Sequence, residues 1–243
     1  MSFSHQKLER TAIGFTLMIL LVASIGGIVE IAPLFTIDNT VEEVEGVRPY
    51  TPLEQAGRDI YIREGCYACH SQMIRTMRTD VERYGYFSLA AESKFDHPFQ
   101  WGSKRTGPDL ARTGGKYSDD WHVAHMNEPR KVVKGSVMPG YPFLAKTPLD
   151  TDSLSDKLTA LSRVGVPYTP DQIKEAALDA TRQADPDAEY ETELQERYGE
   201  NVQVRSFDGN PEMVSELDAL VAYLQMLGTL VDTDKLSKEE VLR

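Results

Sequence analysis

Two cysteines occur in the chain, Cys66 and Cys69, and His70 follows them directly. The C-x-x-C-H spacing is a c-type haem attachment signature. On one helical turn, two thiols three positions apart can each add to a porphyrin vinyl group, which fixes the next residue beneath the iron as an axial ligand. Other uses of the pair find little support. A dithiol oxidoreductase sets C-x-x-C beside a βαβ pattern, and a zinc site needs two further cysteines or suitably spaced histidines; neither context is present. Two thiols are also too few for an iron–sulfur cluster or a disulfide scaffold. The expected cofactor is one covalently attached haem c.

The sixth ligand must come from the opposite face of the macrocycle, and Met73, Met77, Met126, Met138, His97, His122 and His125 are the candidates. Met73 and Met77 follow His70 too closely for the chain to pass round the ring edge, so they are expected to pack on the proximal side. His122 and His125 share one face of a short helix capped by Ser118, with hydrogen bonding in a core or interface as their expected role. Met138 lies in Ser136-Val137-Met138-Pro139-Gly140, 68 residues after His70, where proline and glycine can hold a thioether against the iron. It is the favoured ligand. His70/Met138 ligation leaves no open position, which argues for electron transfer rather than oxygen binding, peroxide cleavage or substrate oxidation. No catalytic centre of the chain's own is expected.

The elements that must position these residues are partly readable. Thr51 and Glu54 form a capping box with Pro52 at the first helical position, and Gly65 supplies the stop, predicting a helix that runs straight into Cys66. Leu53, Ala56, Gly57, Ile60 and Tyr61 share its apolar face. Asn210 and Pro211 are expected to open a second amphipathic helix, with Leu217, Leu220, Val221, Leu224 and Leu227 as its stripe and Gly228 at its end. Gly57 lets another backbone approach, so the two helices are expected to cross at Leu220, Tyr223 and Leu224. Between them, alternating apolar runs are absent and Gly/Pro clusters mark long loops.

Ahead of this domain, residues 12–29 form an uncharged apolar run of eighteen residues, about 27 Å long as a helix. Continuation to Phe35 adds enough length to cross a bilayer with tilt. Lys7 and Arg10 precede the span and Asp38, Glu42, Glu43 and Glu45 follow it, which puts the amino terminus in the cytoplasm and exports the rest. The exit from the run lacks a small-x-small cleavage site, so the helix is expected to be retained as an anchor in the lipid bilayer. The expected division is an anchor over 1–35, a linker over 36–50, a haem domain over 51–231 containing a polar acidic insertion at 146–210, and a tail over 232–243.

Composition agrees with one folded domain and one span. The chain has 243 residues, 41% hydrophobic and 26% charged, and a net charge of -12 that excludes nucleic acid as a partner. The charge is uneven: residues 1–60, 61–145 and 146–243 sum to -4, +3 and -11. Only the middle segment, which holds both cysteines, is basic, so an anionic group or an acidic surface is expected there.

Taken together, Gly57 and Tyr61, the Cys66–His70 motif, Gly107-Pro108-Asp109-Leu110, Met138-Pro139 and the closing Leu220, Tyr223 and Leu224 resemble class I cytochromes c. That resemblance implies a mainly α fold, a class I cytochrome c-like domain with long loop insertions, in which the Pro108 carbonyl orients His70. Longer strings, CYACHSQMIRT from Cys66, HPFQWGSKRTGPDLAR from His97, GGKYSDDW from Gly114 and MPGYPFL from Met138, resemble the monohaem cytochrome c subunit of cbb3-type cytochrome oxidases. This second resemblance implies a bacterial inner membrane location with a periplasmic haem domain. It also implies a catalytic haem-copper oxidase subunit and a dihaem cytochrome c subunit as partners, with electrons passing from the latter to haem b of the former. Arg75 and Arg105 are the leading candidates to meet haem propionates. Residues 184–211 are an insertion relative to shorter members, expected as a solvated helical hairpin. A free-standing tethered shuttle and a haem-based gas sensor are the competing functions. The aromatics Tyr84, Tyr86, Phe87, Phe95, Phe99 and Trp101 favour a fixed subunit if they face a partner.

Overall fold

The structure is a computed structural model and describes residues 5–35, 41, 43–102, 104–186 and 188–233. The chain is mainly helical. Among the described residues there is no strand, only an isolated bridge between Pro148 and Ser215. It divides into two compact units, one over residues 1–42 and one over 43–242. Ser103, positions 36–40 and 42 of the expected linker, and 234–243 of the expected tail lie outside the described residues.

The first unit is a helix over His5–Glu9 followed by an apolar helix over Ala12–Ile31 that tightens into a 3-10 turn over Ala32–Phe35. None of the long helix is buried in protein, and the 23 residues from Ala12 to Leu34 are long and apolar enough to cross a membrane. Exposed Leu17, Ile19, Leu20, Leu21, Val22 and Ile25 cover its surface on all sides. A helix that is apolar all round and has no protein cover suits lipid, because every backbone polar group is satisfied within the helix.

In the second unit the leading helix, Pro52–Arg63, begins as its sequence predicts. The Thr51 amide donates to Glu54 Oε2 at 2.9 Å and the Glu54 amide to Thr51 Oγ1 at 3.2 Å. This helix crosses the closing helix, Glu216–Met226, at Gly57, where an added Cβ would lie 1.9 Å from the Ala219 carbonyl oxygen. Only hydrogen fits there. Tyr61 and Tyr223 pack beside the crossing with ring centroids 5.8 Å apart.

The closing helix starts later than Asn210-Pro211 suggests. Its cap is Ser215, boxed with Asp218, whose carboxylate also accepts from the Phe207 and Asp208 amides at 2.9 and 2.8 Å. Asp208 and Asn210 instead accept from the Asn210 and Glu212 amides, so the Asn-Pro pair belongs to a turn.

The acidic stretch after residue 146 differs more from expectation. Its helices Leu154–Arg163 and Ala176–Gln183 bury Leu154, Leu158, Ala176 and Ala180 completely in the main core. Thr51 Oγ1 donates to Gln183 Oε1 at 2.5 Å and Tyr168 Oη to the Tyr50 carbonyl at 2.8 Å. The described residues of 184–211 form no solvated hairpin. A single helix, Ala188–Tyr198, buries Leu194 and Tyr198 against Val202, and Tyr198 Oη donates to Asp179 at 2.7 Å. Net charge hid this packing because each helix keeps a narrow apolar stripe under a charged outer face. The linker expected over 36–50 likewise ends in residues that belong to the domain. Arg48 makes a two-pronged contact with Glu54 at 2.7 and 2.8 Å, and Tyr50 is buried.

Candidate functional site

Gly65 ends the leading helix with φ +71°, a left-handed conformation open to glycine at little cost, and turns the chain into a 3-10 turn over Cys66–Ala68. The Cys66 carbonyl then accepts from both the Cys69 amide at 3.1 Å and the His70 amide at 2.9 Å. One turn therefore presents two thiols and an imidazole. Both cysteines are free, Cys69 exposed and Cys66 half-buried. Burial, then the Glu64 carboxylate, pushes the Cys66 thiol up to about 11. Such a thiol stays protonated near neutrality, unlike the activated thiolate of a dithiol oxidoreductase.

His70 is held from behind. Its Nδ1 lies 2.8 Å from the Pro108 carbonyl oxygen and donates to it, leaving the Nε2 lone pair for a metal. The ring lies against Gly107, where an added Cβ would stand 2.2 Å from His70 Cε1. Backbone bonds run between the same segments on either side, from the Gly107 amide to the Cys69 carbonyl and from the Leu110 amide to the Ser71 carbonyl, each 2.9 Å. Burial lowers the His70 pKa, against the Pro108 hydrogen bond and the nearby Asp109 charge, which raise it. The balance favours the neutral ring that metal ligation requires.

Asp109 is buried and accepts from Ser71 Oγ at 2.6 Å, the Met73 amide at 3.0 Å and the Ala111 amide at 2.8 Å. Arg105 reaches the same segment, donating to Ser71 Oγ at 2.6 Å and to the two oxygens of Asp80 at 2.9 Å each. Arg75 Nε donates to Asp80 at 2.8 Å. Hydrogen bonds from Arg105, then Arg75, hold the Asp80 carboxyl well below the usual carboxylate range. The two arginines singled out by sequence as propionate partners thus already have acceptors within the chain. Nothing in the sequence pattern pointed to Asp80; Ser71 and Asp109 were visible only as members of the Cys66–Thr76 and Gly107–Leu110 strings.

Across from this turn the helix Asp119–Asn127, capped by Ser118 as expected, presents His122 and His125. His122 is 2% exposed, yet neither ring nitrogen has a hydrogen-bond partner, and Nδ1 of His125 is likewise buried and unpartnered. Burial brings the His122 pKa down to about 4, while burial and then the charge of His70 lower that of His125. Trp121 stacks between Tyr117 and His125, with centroids 4.0 and 4.6 Å away. The Met138 loop is fixed at its end, where the Tyr141 amide donates to the Met126 carbonyl at 2.6 Å. Met138 itself is half-buried against the core. The Tyr141 phenol is shifted up by burial, then by Cys66, Glu64 and Cys69, so this loop faces the cysteine turn. Met73 and Met77, expected to pack on the proximal side, are exposed.

A haem fits these residues. The donor set offers two free thiols for the vinyl groups, an oriented imidazole and a thioether, and the buried side chains around them leave the Tyr61 hydroxyl and three histidine nitrogens without a partner.

The family model described as cytochrome C oxidase, mono-heme subunit/FixO matches residues 5–231. No curated protein matches the chain.

Proposed function

The chain belongs to the mono-heme subunit/FixO family of cytochrome c oxidases, and we propose that it relays electrons within a cbb3-type oxidase through one haem c held by Cys66, Cys69, His70 and Met138. The observation that carries this reading is the His70 Nδ1 to Pro108 carbonyl bond of 2.8 Å behind a turn that presents two free thiols. When bound, the haem supplies a one-electron iron couple.

The chain's own residues would do the rest. Cys66 and Cys69 would tether the group, His70, buttressed by Pro108, would ligate it, and Met138, on a loop closed by Tyr141, would supply the second ligand. With both positions so taken, oxygen reduction and proton pumping would belong to the catalytic subunit. A neutral thioether ligand keeps the potential high enough to accept electrons from a dihaem cytochrome c subunit or a soluble cytochrome. The helix over 12–34 anchors the chain in the bacterial inner membrane with the amino terminus cytoplasmic. The haem domain, 51–231, is periplasmic.

Docking on the catalytic subunit is supported by Phe99 and Trp101, the exposed members of the aromatic set, at 51% and 57% exposure. Their rings stack 5.6 Å apart. The loop that carries them is braced by Arg58, buried and 2.9 Å from Asp96, and the Trp101 carbonyl accepts from the Gln72 amide at 2.9 Å, two residues past His70. Rigid exposed aromatics close to a redox centre suit a desolvated interface.

Purification of the full chain in mild detergent tests the assignment. One haem per chain by pyridine haemochrome, with a haem-copper subunit co-purifying, is the expected result. A lone chain carrying normal haem would replace the subunit role with that of a tethered shuttle.

A further inference from the structure

We propose that Arg105 is a positioning residue for the axial ligand, setting the reduction potential through the His70–Pro108 hydrogen bond without touching the haem. This rests on His70 being the ligand, as above. Arg105 sits three residues before Pro108, on the loop whose carbonyl orients the imidazole. Its guanidinium faces back to the chain that follows His70. Nε donates to Ser71 Oγ at 2.6 Å, and Nη2 donates to the Met73 carbonyl at 3.1 Å and to Asp109 Oδ2 at 3.4 Å. Asp80 grips the outer edge of the fork through two bonds of 2.9 Å, and the Tyr84 ring lies 4.9 Å from its centre.

The connectivity makes a closed ring. Ser71 is bonded to His70 and Asp109 to Pro108 in the chain, while Ser71 Oγ donates to Asp109 and His70 Nδ1 donates to the Pro108 carbonyl. Each hydrogen bond therefore fixes the span of the other. Arg105 occupies a lone pair of Ser71 Oγ, so the hydroxyl proton must point to Asp109. Asp80 in turn holds Arg105 in one rotamer. The Asp109 side chain is fully buried and that of Asp80 is 7% exposed, so little water competes for these bonds.

A histidine that donates strongly through Nδ1 is a more basic ligand through Nε2 and favours ferric iron. Loosening the ring weakens that donation, and the potential rises. A role through charge alone has a different signature, because lysine keeps the charge of arginine but cannot span Ser71 and Asp80 with a planar fork.

The test uses the full-length, haem-loaded chain in detergent with Arg105→Lys and Ser71→Ala, both of which leave net charge unchanged. Potentiometric titration is expected to show a higher potential in both variants. Exchange of the His70 Nδ1 proton, followed by NMR in the ferrous state, is expected to quicken about tenfold, the effect of losing one net hydrogen bond. Haem content and the thioether-to-iron absorption band should stay at the parental level. Parental potential and exchange in both variants would overturn the positioning role while leaving His70 as ligand. A silent Arg105→Lys beside a lowered potential in Arg105→Gln would overturn it in favour of charge alone. A parent chain without covalent haem would remove the reading on which the proposal rests.

Discussion

Around Pro108 the chain closes its polar groups on one another, whereas around His122 it does not. On the first side, His70 Nδ1, Ser71, Asp109, Arg105 and Asp80 each meet a partner within the chain at 2.6 to 2.9 Å. On the second, three buried imidazole nitrogens lack a partner, and the Met138 amide is held only by Ser136 Oγ at 3.2 Å. Unpaired buried polar atoms cost about 1–3 kcal/mol each. The difference teaches that the chain itself fixes the Cys66–His70 turn and its Pro108 support, whereas the side that carries His122 and Met138 keeps buried polar atoms without a partner.

The largest expected effect comes from breaking the prebuilt half. Gly107→Ala puts a Cβ 2.2 Å from the His70 ring, with the Pro108 carbonyl next in the chain. It should cost at least about 3 kcal/mol and abolish most covalent haem incorporation, read by haem stain and thermal melting. Met138→Ala breaks the other half. Haem should remain attached, the thioether-to-iron band should vanish and the potential should fall; an unchanged spectrum would assign the ligand elsewhere.

His122 sharpens the contrast through pH. Its pKa is about 4 in the folded chain, against about 6.5 when unfolded. Above pH ~6.5 the ring is neutral in both states and its contribution is fully present. As the pH falls from ~6.5 to ~4 only the unfolded chain takes up the proton, so stability is lost by about 3 kcal/mol. His122→Leu should flatten that part of the pH profile in urea unfolding of the full chain. The smallest effect is expected at the rim of the prebuilt half. The Arg75 side chain is 52% exposed and Asp80 retains Arg105 without it. Arg75→Gln should change stability by less than about 1 kcal/mol in the same assay.

What the sequence disclosed follows the range of each signal. The attachment turn, the Thr51–Glu54 box, the Gly57 crossing and the apolar anchor are written in neighbouring residues or in one periodic face. The Arg105–Asp80 and Ser71–Asp109 pairs join positions 25 and 38 apart with no period between them, so the basic middle segment and the family resemblance together pointed to a haem propionate for Arg105 and not to Asp80. The core packing of the stretch after residue 146 is hidden in the sequence for a related reason. Acidic residues dominate its count, while the few that matter for packing, Leu154, Leu158 and Leu194, are recognised only when their partners are in place. Asn210-Pro211 carried a turn signal that also serves as a helix start, and the Asp218 carboxylate decided between them.

The central claim is that a single porphyrin is joined covalently to this chain. Intact-mass spectrometry of the purified, fully denatured polypeptide measures it most directly. The expected spectrum shows the polypeptide mass plus one haem, reduced to the bare polypeptide when Cys66 and Cys69 are both replaced by alanine. A parent chain at the bare polypeptide mass would contradict the account.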